Sequence, residues 1–302
     1  MSRQQILVLG SDNIVGQRIV GALAASDWAT PISGDIASLK KSPAVSAIVN
    51  AVTGSANTIR STATKLFITA AQLIPTPRIV YVSSMTVYGS ATGAVDEQSP
   101  LLGDVSNYAA AHVDAEALAH TYARSVILRP GCEYGPGCVQ WSERVGRWLL
   151  ARRIGDLGAL GDGYCNLIYI DDVVSAVLQA LRAPDIEGQS FNLVMASPPT
   201  WNEYLLLYAK ALGAVPVRRV TQRRLKLETK IAAIPLKVIE LVAQRLGITA
   251  RFVPEAIPPS FLTLCSQEIT LTVTKAETRL GLQWTPLAAG LKQAAAALLA
   301  LT

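Results

Sequence analysis

The stretch "QILVLGSDNIVGQRIVGALAAS", residues 5–26, decides how the rest of the chain is read. Its opening, "QILVLG", is an apolar run ending in Gly, which is a buried strand entering a turn. From Asn13 to Ser26 an amphipathic helical pattern follows. A strand, a turn at Gly10 and a helix N-terminus make an anion site, because free backbone N–H groups and the helix dipole point at a phosphate. The Gly10-to-Gly16 spacing is common by chance and gains weight here from lying at the first strand of an α/β chain.

Outward from that stretch, the first 130 residues alternate short apolar runs with helical patterns, which is the signature of a parallel sheet with crossover helices. "WATPIS" (28–33), "VSAIVNAV" (45–52), "RIVYVSS" (78–84) and "SVILRPG" (125–131) read as strands. "TATKLFITAAQLI" (62–74) and "SNYAAAHVDAEALAH" (106–120) read as helices. Gly- and Pro-rich loops, "GCEYGPGC" and "GDGYCN", come next, then a helix at 171–183, a strand at 189–194 and a Pro-punctuated, mainly helical remainder. The expected fold is α/β, a Rossmann-like doubly wound parallel sheet with a smaller, mainly helical substrate lobe. Residues 1–131 and 164–195 are assigned to a discontinuous dinucleotide-binding domain, and 132–163 and 196–302 to the lobe.

Half of the 302 residues are apolar and 16% are charged, which is the composition of a compact globular chain rather than a disordered one. Charge or Pro interrupts every apolar run short of the ~18 residues a membrane span needs, so none is expected. "MSRQQILVLGSDN" enters a strand without the h-region of a signal peptide, and a cytoplasmic location is the expectation. The four Cys, at 132, 138, 165 and 265, form no CxxC pair; they read as reduced packing thiols, and no metal site is expected. The net charge of +5 is unevenly placed, with six basic residues against one acid in "VRRVTQRRLKLETK" (217–230) and four basic residues in "RVGRWLLARR" (144–153). These are either solvated faces or landing surfaces for an anionic substrate such as a diphosphate, a coenzyme A thioester or an acyl carrier protein. Nucleic acid is not an expected partner, because no interleaved aromatics accompany the charge.

Several ordered stretches resemble the extended short-chain dehydrogenase/reductase family, which includes the nucleotide-sugar epimerases and dehydratases. They are "YVSSMTVYGS" (81–90), "VILRPGCEYGPG" (126–137), "GDGYCNLIYIDDV" (161–173), "FNLV" (191–194) and "ETRLGLQWTP" (277–286), and together with the first turn they span nearly the whole chain. The family's turn is GxxGxxG, and Gly10, Asn13 and Gly16 hold its three positions. Asn is the non-Gly residue best suited to a left-handed conformation, but its side chain crowds the approach of a pyrophosphate, so weakened binding is the expected cost. The resemblance implies NAD or NADP as cofactor, with contacts at Gly10, Asn13, Ile14, Gly16, Ala51, Val52, Pro130 and Gly131. Asp35, about 20 residues past the glycines, is placed to meet an adenosine ribose, and no Arg follows it to welcome a 2′-phosphate, which favours NAD. Between the first helix and Val45 there is room for one short strand and little else, so the adenosine half is short.

The same resemblance carries the catalytic role onto Ser84 and onto Tyr108, with Thr86 and Cys132 as substrate contacts. In the family the Tyr of a YxxxK helix faces the Ser across the substrate carbonyl. Moving a hydride at a carbinol carbon needs a proton delivered to or taken from its oxygen, and a free Tyr, with a pKa of ~10, is a poor base. The family Lys corrects this with a permanent charge. Here His112 stands four residues after Tyr108, on the same helix face, and offers no fixed charge.

Two enzymatic readings follow. In one, Ser84 and Tyr108 polarise a carbonyl or hydroxyl of a small or carrier-bound anionic substrate for NAD(P)-dependent redox or epimerase chemistry, while His112 positions the cofactor. In the other, net redox is abandoned and Tyr108 and His112 act as acid and base in an isomerisation, elimination or cyclisation. A non-catalytic dinucleotide sensor is the third reading, and retention of both Ser84 and Tyr108 speaks against it. A Ser84–His112 hydrolase is disfavoured because no GxSxG elbow surrounds the Ser. Asp171 and Asp172 read as the cap and dipole partners of the helix they open. "IPLKVIELVAQRLGI" (234–248) and "VPEAIPPSFLTLC" (253–265) read as an apolar pocket wall, favouring a lipid-like, polyketide or aromatic substrate over a free sugar. A homodimer through the helices flanking the catalytic one is a family-based expectation.

Overall fold

The computed structural model describes residues 3–41, 45–232 and 256–301. The chain forms two compact units: residues 1–131, 168–196 and 271–284 make the first, and 132–167, 197–270 and 285–302 the second.

The first unit is built on six strands, β1 (Gln4–Leu9), β2 (Ala29–Ser33), β3 (Ala47–Asn50), β4 (Arg78–Val82), β6 (Ser125–Pro130) and β9 (Ser190–Leu193). The strands β5 (Gly93–Val95), β7 (Cys132–Tyr134), β8 (Leu167–Tyr169) and β10 (Ile269–Leu271) are three residues each and lie outside that sheet. The sheet order is β2-β1-β3-β4-β6-β9, and every neighbouring pair is parallel. A parallel sheet covered on both faces needs near-continuous apolar runs, and all residues of β3, β6 and β9 are buried. The order reverses at β1, whose neighbours are β2 and β3, so the topological switch point lies between β1 and β3. Among the described residues one strand, β2, lies beyond β1, and the five-residue helix α2 (Ala37–Lys41) follows it. The short adenosine half therefore lacks the third strand of the fuller doubly wound order.

Helices α1 (Ile14–Ala25), α3 (Ala56–Ala70), α4 (Asn107–Thr121), α6 (Ile170–Arg182) and the helix Thr274–Leu280 also belong to this unit. Two local expectations are corrected. Helix α3 begins at Ala56 rather than at Thr62, because Ser55 caps it by accepting the Thr58 N–H at 3.1 Å and Ile59 already buries its side chain against the sheet. Helix α6 begins at Ile170 after Tyr169, with no side-chain cap, so Asp171 and Asp172 lie inside its first turn. They still face the positive end of its dipole, and Asp171 pairs with Arg18 of α1 at 2.5 Å.

The second unit contains α5 (Arg144–Leu150), α7 (Trp201–Ala211), α8 (Gln222–Lys226) and the helices Pro259–Cys265 and Leu287–Ala300. Its core is aromatic: the fully buried Trp201 ring lies 5.4 Å from Trp141, 5.5 Å from Phe261 and 5.9 Å from Tyr204. Helix α7 starts with a capping box between Thr200 and Glu203. The segment 234–248 and residues 253–255 lie outside the described residues; of the second apolar stretch, Phe261 and Cys265 are buried in this core. Among the described residues no helix is long and apolar enough to cross a membrane.

Candidate functional site

At the switch point, Gly10 ends β1 with φ +80°, and a Cβ there would lie 2.6 Å from the Ala51 carbonyl oxygen. A Cβ on Gly16 would lie 2.1 Å from the Gly10 oxygen. Both glycines are thus required by close backbone approach between β1, α1 and the end of β3. Asn13 is the N-cap of α1, in extended rather than left-handed conformation; its side-chain oxygen accepts the Gly16 N–H at 2.9 Å, and its amide donates to the Ala51 oxygen at 2.7 Å. The predicted positions Gly10, Asn13, Ile14, Gly16, Ala51 and Val52 therefore stand together at one place. Asp35 is elsewhere in its hydrogen bonding: its exposed carboxylate accepts from the Ser38 N–H at 3.1 Å and hydroxyl at 3.0 Å, which lowers its pKa and ties the turn that enters α2.

The second group of predicted residues gathers around α4. Ser106 caps the helix by accepting the Ala109 N–H at 3.1 Å, which starts it one residue before Tyr108. The half-buried Tyr108 and the buried His112 meet one turn apart, ring centroids 4.6 Å and nearly edge-on. Helix α4 packs against the tight turn 85–88 that follows β4, and Ser84 caps that turn. The Ser84 hydroxyl accepts both the Thr86 N–H at 3.2 Å and the Thr86 hydroxyl at 3.0 Å, so these two motif residues are joined. Pro130 closes β6, and the Gly131 N–H donates to the Leu193 oxygen at 2.9 Å. Cys132 begins the second unit, and burial pushes its thiol up to about 12. All four Cys are buried and unlinked.

His112 is 2% exposed, and burial pushes its pKa down to about 4. Its Nδ1 faces the Ser83 hydroxyl at 3.5 Å, and its Nε2 has no hydrogen-bond partner among the described residues. Ser83, next to the motif serine, donates to Glu116 at 2.6 Å. Glu116, fully buried, takes Arg129 through Nε at 3.1 Å to each oxygen and through Nη2 at 2.6 Å. Arg129 continues to the Tyr88 hydroxyl at 2.8 Å and the Glu97 carbonyl at 3.1 Å, and Tyr88 donates to Asn192 at 2.6 Å. A buried polar network thus runs from the α4 imidazole past the end of β4 and through β6 to β9.

Sequence reasoning missed Ser83, Glu116 and Arg129. The signals were present: Arg129 is a cation inside the apolar strand "SVILRP", which demands a buried anion, and Glu116 follows His112 by four residues on the same helix face. It also missed Glu133, in the middle of β7, whose carboxyl is raised to about 7 by burial. Among the described residues no group of three His, Cys, Asp or Glu side chains is placed to hold a metal ion.

A family model described as the NAD dependent epimerase/dehydratase family matches residues 36–193. Protein YeeZ of Escherichia coli (strain K12) is 32% identical over 142 residues, 46% of this chain and 48% of that protein, so the chain spans about half the length of the curated relatives it matches. Among solved structures, UDP-glucuronic acid 4-epimerase from Bacillus cereus, in complex with UDP-glucuronic acid and NAD, covers 99% of this chain and 100% of its own at 17% identity and TM-score 0.71. Human epimerase family protein SDR39U1, with NADPH, covers 97% of this chain and 99% of its own at 20% identity and TM-score 0.68.

Proposed function

The chain belongs to the NAD dependent epimerase/dehydratase family, and on that premise we propose that it is an NAD(P)-dependent enzyme acting on a carbonyl or hydroxyl of a small or carrier-linked anionic substrate. The observation that carries the proposal is the pairing of two features in one unit: a glycine turn at the β1/β3 switch point, and Tyr108 on a helix packed against the turn that Ser84 caps. The residues fit a dinucleotide: Gly10 and Gly16 let β1, α1 and the end of β3 close together, which sets the N-terminus of α1 at the switch point, and His112 holds a buried ring nitrogen that needs a partner. Bound there, the nicotinamide supplies hydride exchange with a carbinol carbon.

The chain's own residues supply the rest. Gly10, Asn13, Ile14 and Gly16 would hold the cofactor's phosphates at the N-terminus of α1, and Ala51, Val52, Pro130 and Gly131, at the ends of β3 and β6, would hold the rest of it. Asp35 reaches the ribose only by giving up its bonds to Ser38. Ser84 donates its hydroxyl proton toward the reacting oxygen, since Thr86 already occupies its acceptor side. Tyr108 gives or takes the proton at that oxygen. His112, neutral in its buried place, orients the ligand and lends Tyr108 no permanent charge. Thr86 contributes to substrate selection, and the second unit carries a basic surface of its own in the exposed Arg218, Arg219, Arg223 and Arg224, suited to an anionic group. NAD is favoured over NADP, and a homodimer is the assembly expected.

One observation favours the non-redox reading. The Gly16 N–H, an amide that a phosphate would use, is already taken by Asn13. Weak dinucleotide binding combined with an uncharged His112 suits proton chemistry by Tyr108 and His112, as in an isomerisation or elimination. The two readings separate in one assay series: turnover of a panel of anionic ketones and alcohols, followed by nicotinamide absorbance and by product mass. Dinucleotide-dependent turnover that falls at least ~100-fold in Tyr108→Phe supports the redox reading. Turnover without dinucleotide supports the other, and no turnover with folded protein and bound cofactor returns the chain to the sensor reading.

A further inference from the structure

Lys in the family's YxxxK helix is a donor only; the residue in its place here has a ring nitrogen of each kind, and the surrounding bonds decide which is which. Glu116 is paired with Arg129 through both carboxylate oxygens, so it is ionised and accepts only. Ser83 has one hydroxyl proton, and at 2.6 Å it goes to Glu116. Toward His112, 3.5 Å away, Ser83 therefore presents a lone pair, and only a protonated Nδ1 faces it without lone-pair repulsion. A neutral imidazole with the proton on Nδ1 leaves Nε2 bare. That atom is buried and has no partner among the described residues.

We propose that Ser83, oriented by the Glu116–Arg129 ion pair, is a positioning residue that fixes His112 as the Nδ1–H tautomer, making Nε2 a buried acceptor for a hydroxyl of the bound ligand, a ribose hydroxyl of the nicotinamide nucleotide. The identity of that hydroxyl rests on the function proposed above; the tautomer does not. The polarity of the site is then the reverse of a Lys site: the ligand donates and the protein accepts. Burial keeps the ring neutral, which preserves the acceptor at neutral pH. The buried, unpaired Nε2 is also a standing cost that a hydroxyl donor relieves on binding.

The chain has two His, so the test is direct. Protein labelled with 15N-histidine is observed by NMR, with His120→Gln, a change at an exposed helix residue, assigning the second signal. The expected spectrum of His112 in ligand-free protein shows Nδ1 protonated and Nε2 unprotonated. Ser83→Ala shifts the ring toward the Nε2–H form that free imidazole prefers, and Ser83→Thr, which keeps the hydroxyl, restores the Nδ1–H form. A wild-type spectrum with Nε2 protonated overturns the proposal, and it does so even if Ser83→Ala fails to fold. Addition of NADH then moves the Nε2 resonance in the direction of an accepted hydrogen bond. Saturable NADH binding by calorimetry with an unmoved Nε2 signal overturns the acceptor role while leaving the proposed cofactor intact. Absence of binding overturns the functional reading and the ribose assignment together, with the tautomer still decided by the ligand-free spectrum.

Discussion

The side-chain oxygen of Asn13 accepts the Gly16 N–H at 2.9 Å, so the first turn of α1 holds, within the protein, a bond that a phosphate oxygen would otherwise receive. Asn13→Gly frees that amide and restores a bare turn. A charge-assisted bond is worth about 1.5–3 kcal/mol, so dinucleotide affinity should rise roughly tenfold or more. The cap itself loses only a few tenths of a kcal/mol on change to Gly, and the lost Asn13–Ala51 bond about 1 kcal/mol. Calorimetric titration and a thermal melt measure the two effects side by side; tighter binding with a slightly lower Tm is the expected pair.

The Glu116–Arg129 pair has almost no solvent around it, with side chains 0% and 2% exposed. Breaking such a pair from one side strands a charge, which costs roughly 3–5 kcal/mol. Arg129→Met should therefore lower unfolding free energy by about that amount, and the double change Arg129→Met with Glu116→Leu should recover much of it. Urea denaturation of the two variants checks the order, and a double variant less stable than the single one contradicts it.

The folded-state pKa of His112, about 4, lies below its ordinary value of 6.5. The unfolded chain binds a proton in that window and the folded one does not, so the group's contribution is present above pH 6.5 and is lost as pH falls toward 4. The full shift is worth roughly 3 kcal/mol. His112→Gln should flatten the stability profile between pH 6.5 and 4, measured by urea midpoints across that range.

Glu133 has the opposite sign. Burial raises its pKa from 4.5 to about 7, so the stability tied to its neutral form is full below pH 4.5 and is lost as pH rises through 7. Glu133→Gln keeps the neutral shape at every pH. It should match wild type near pH 4 and melt at a higher temperature than wild type at pH 8.

The parts of the fold legible in the sequence were those written locally. The apolar runs of β1, β3, β4, β6 and β9 and the turn at Gly10 need no knowledge of what lies opposite them, and the short gap before Val45 already implied a single strand beyond β1. Helix α3 was read six residues short because "ANTIRS" has no apolar periodicity; only the Ser55 cap and the buried Ile59 mark its start. The motif residues Ser84, Thr86, Tyr108 and His112 were also readable in place. Their bonding was not. Ser83 meets His112 across 29 residues and Glu116 across 33, and that closure follows from the packing of α4 against β6 and the turn 85–88. The role of Asn13 was half legible: crowding of the turn follows from having a side chain there, but its bond to the Gly16 N–H follows from the extended backbone at residue 13.

Calorimetric titration of the purified protein with NADH and NADPH decides whether the turn at Gly10 holds a nicotinamide dinucleotide. Saturable binding at one site per chain is expected, tighter for NADH and tighter again in Asn13→Gly. Heats of dilution alone for both nucleotides, in wild type and in Asn13→Gly, would contradict it.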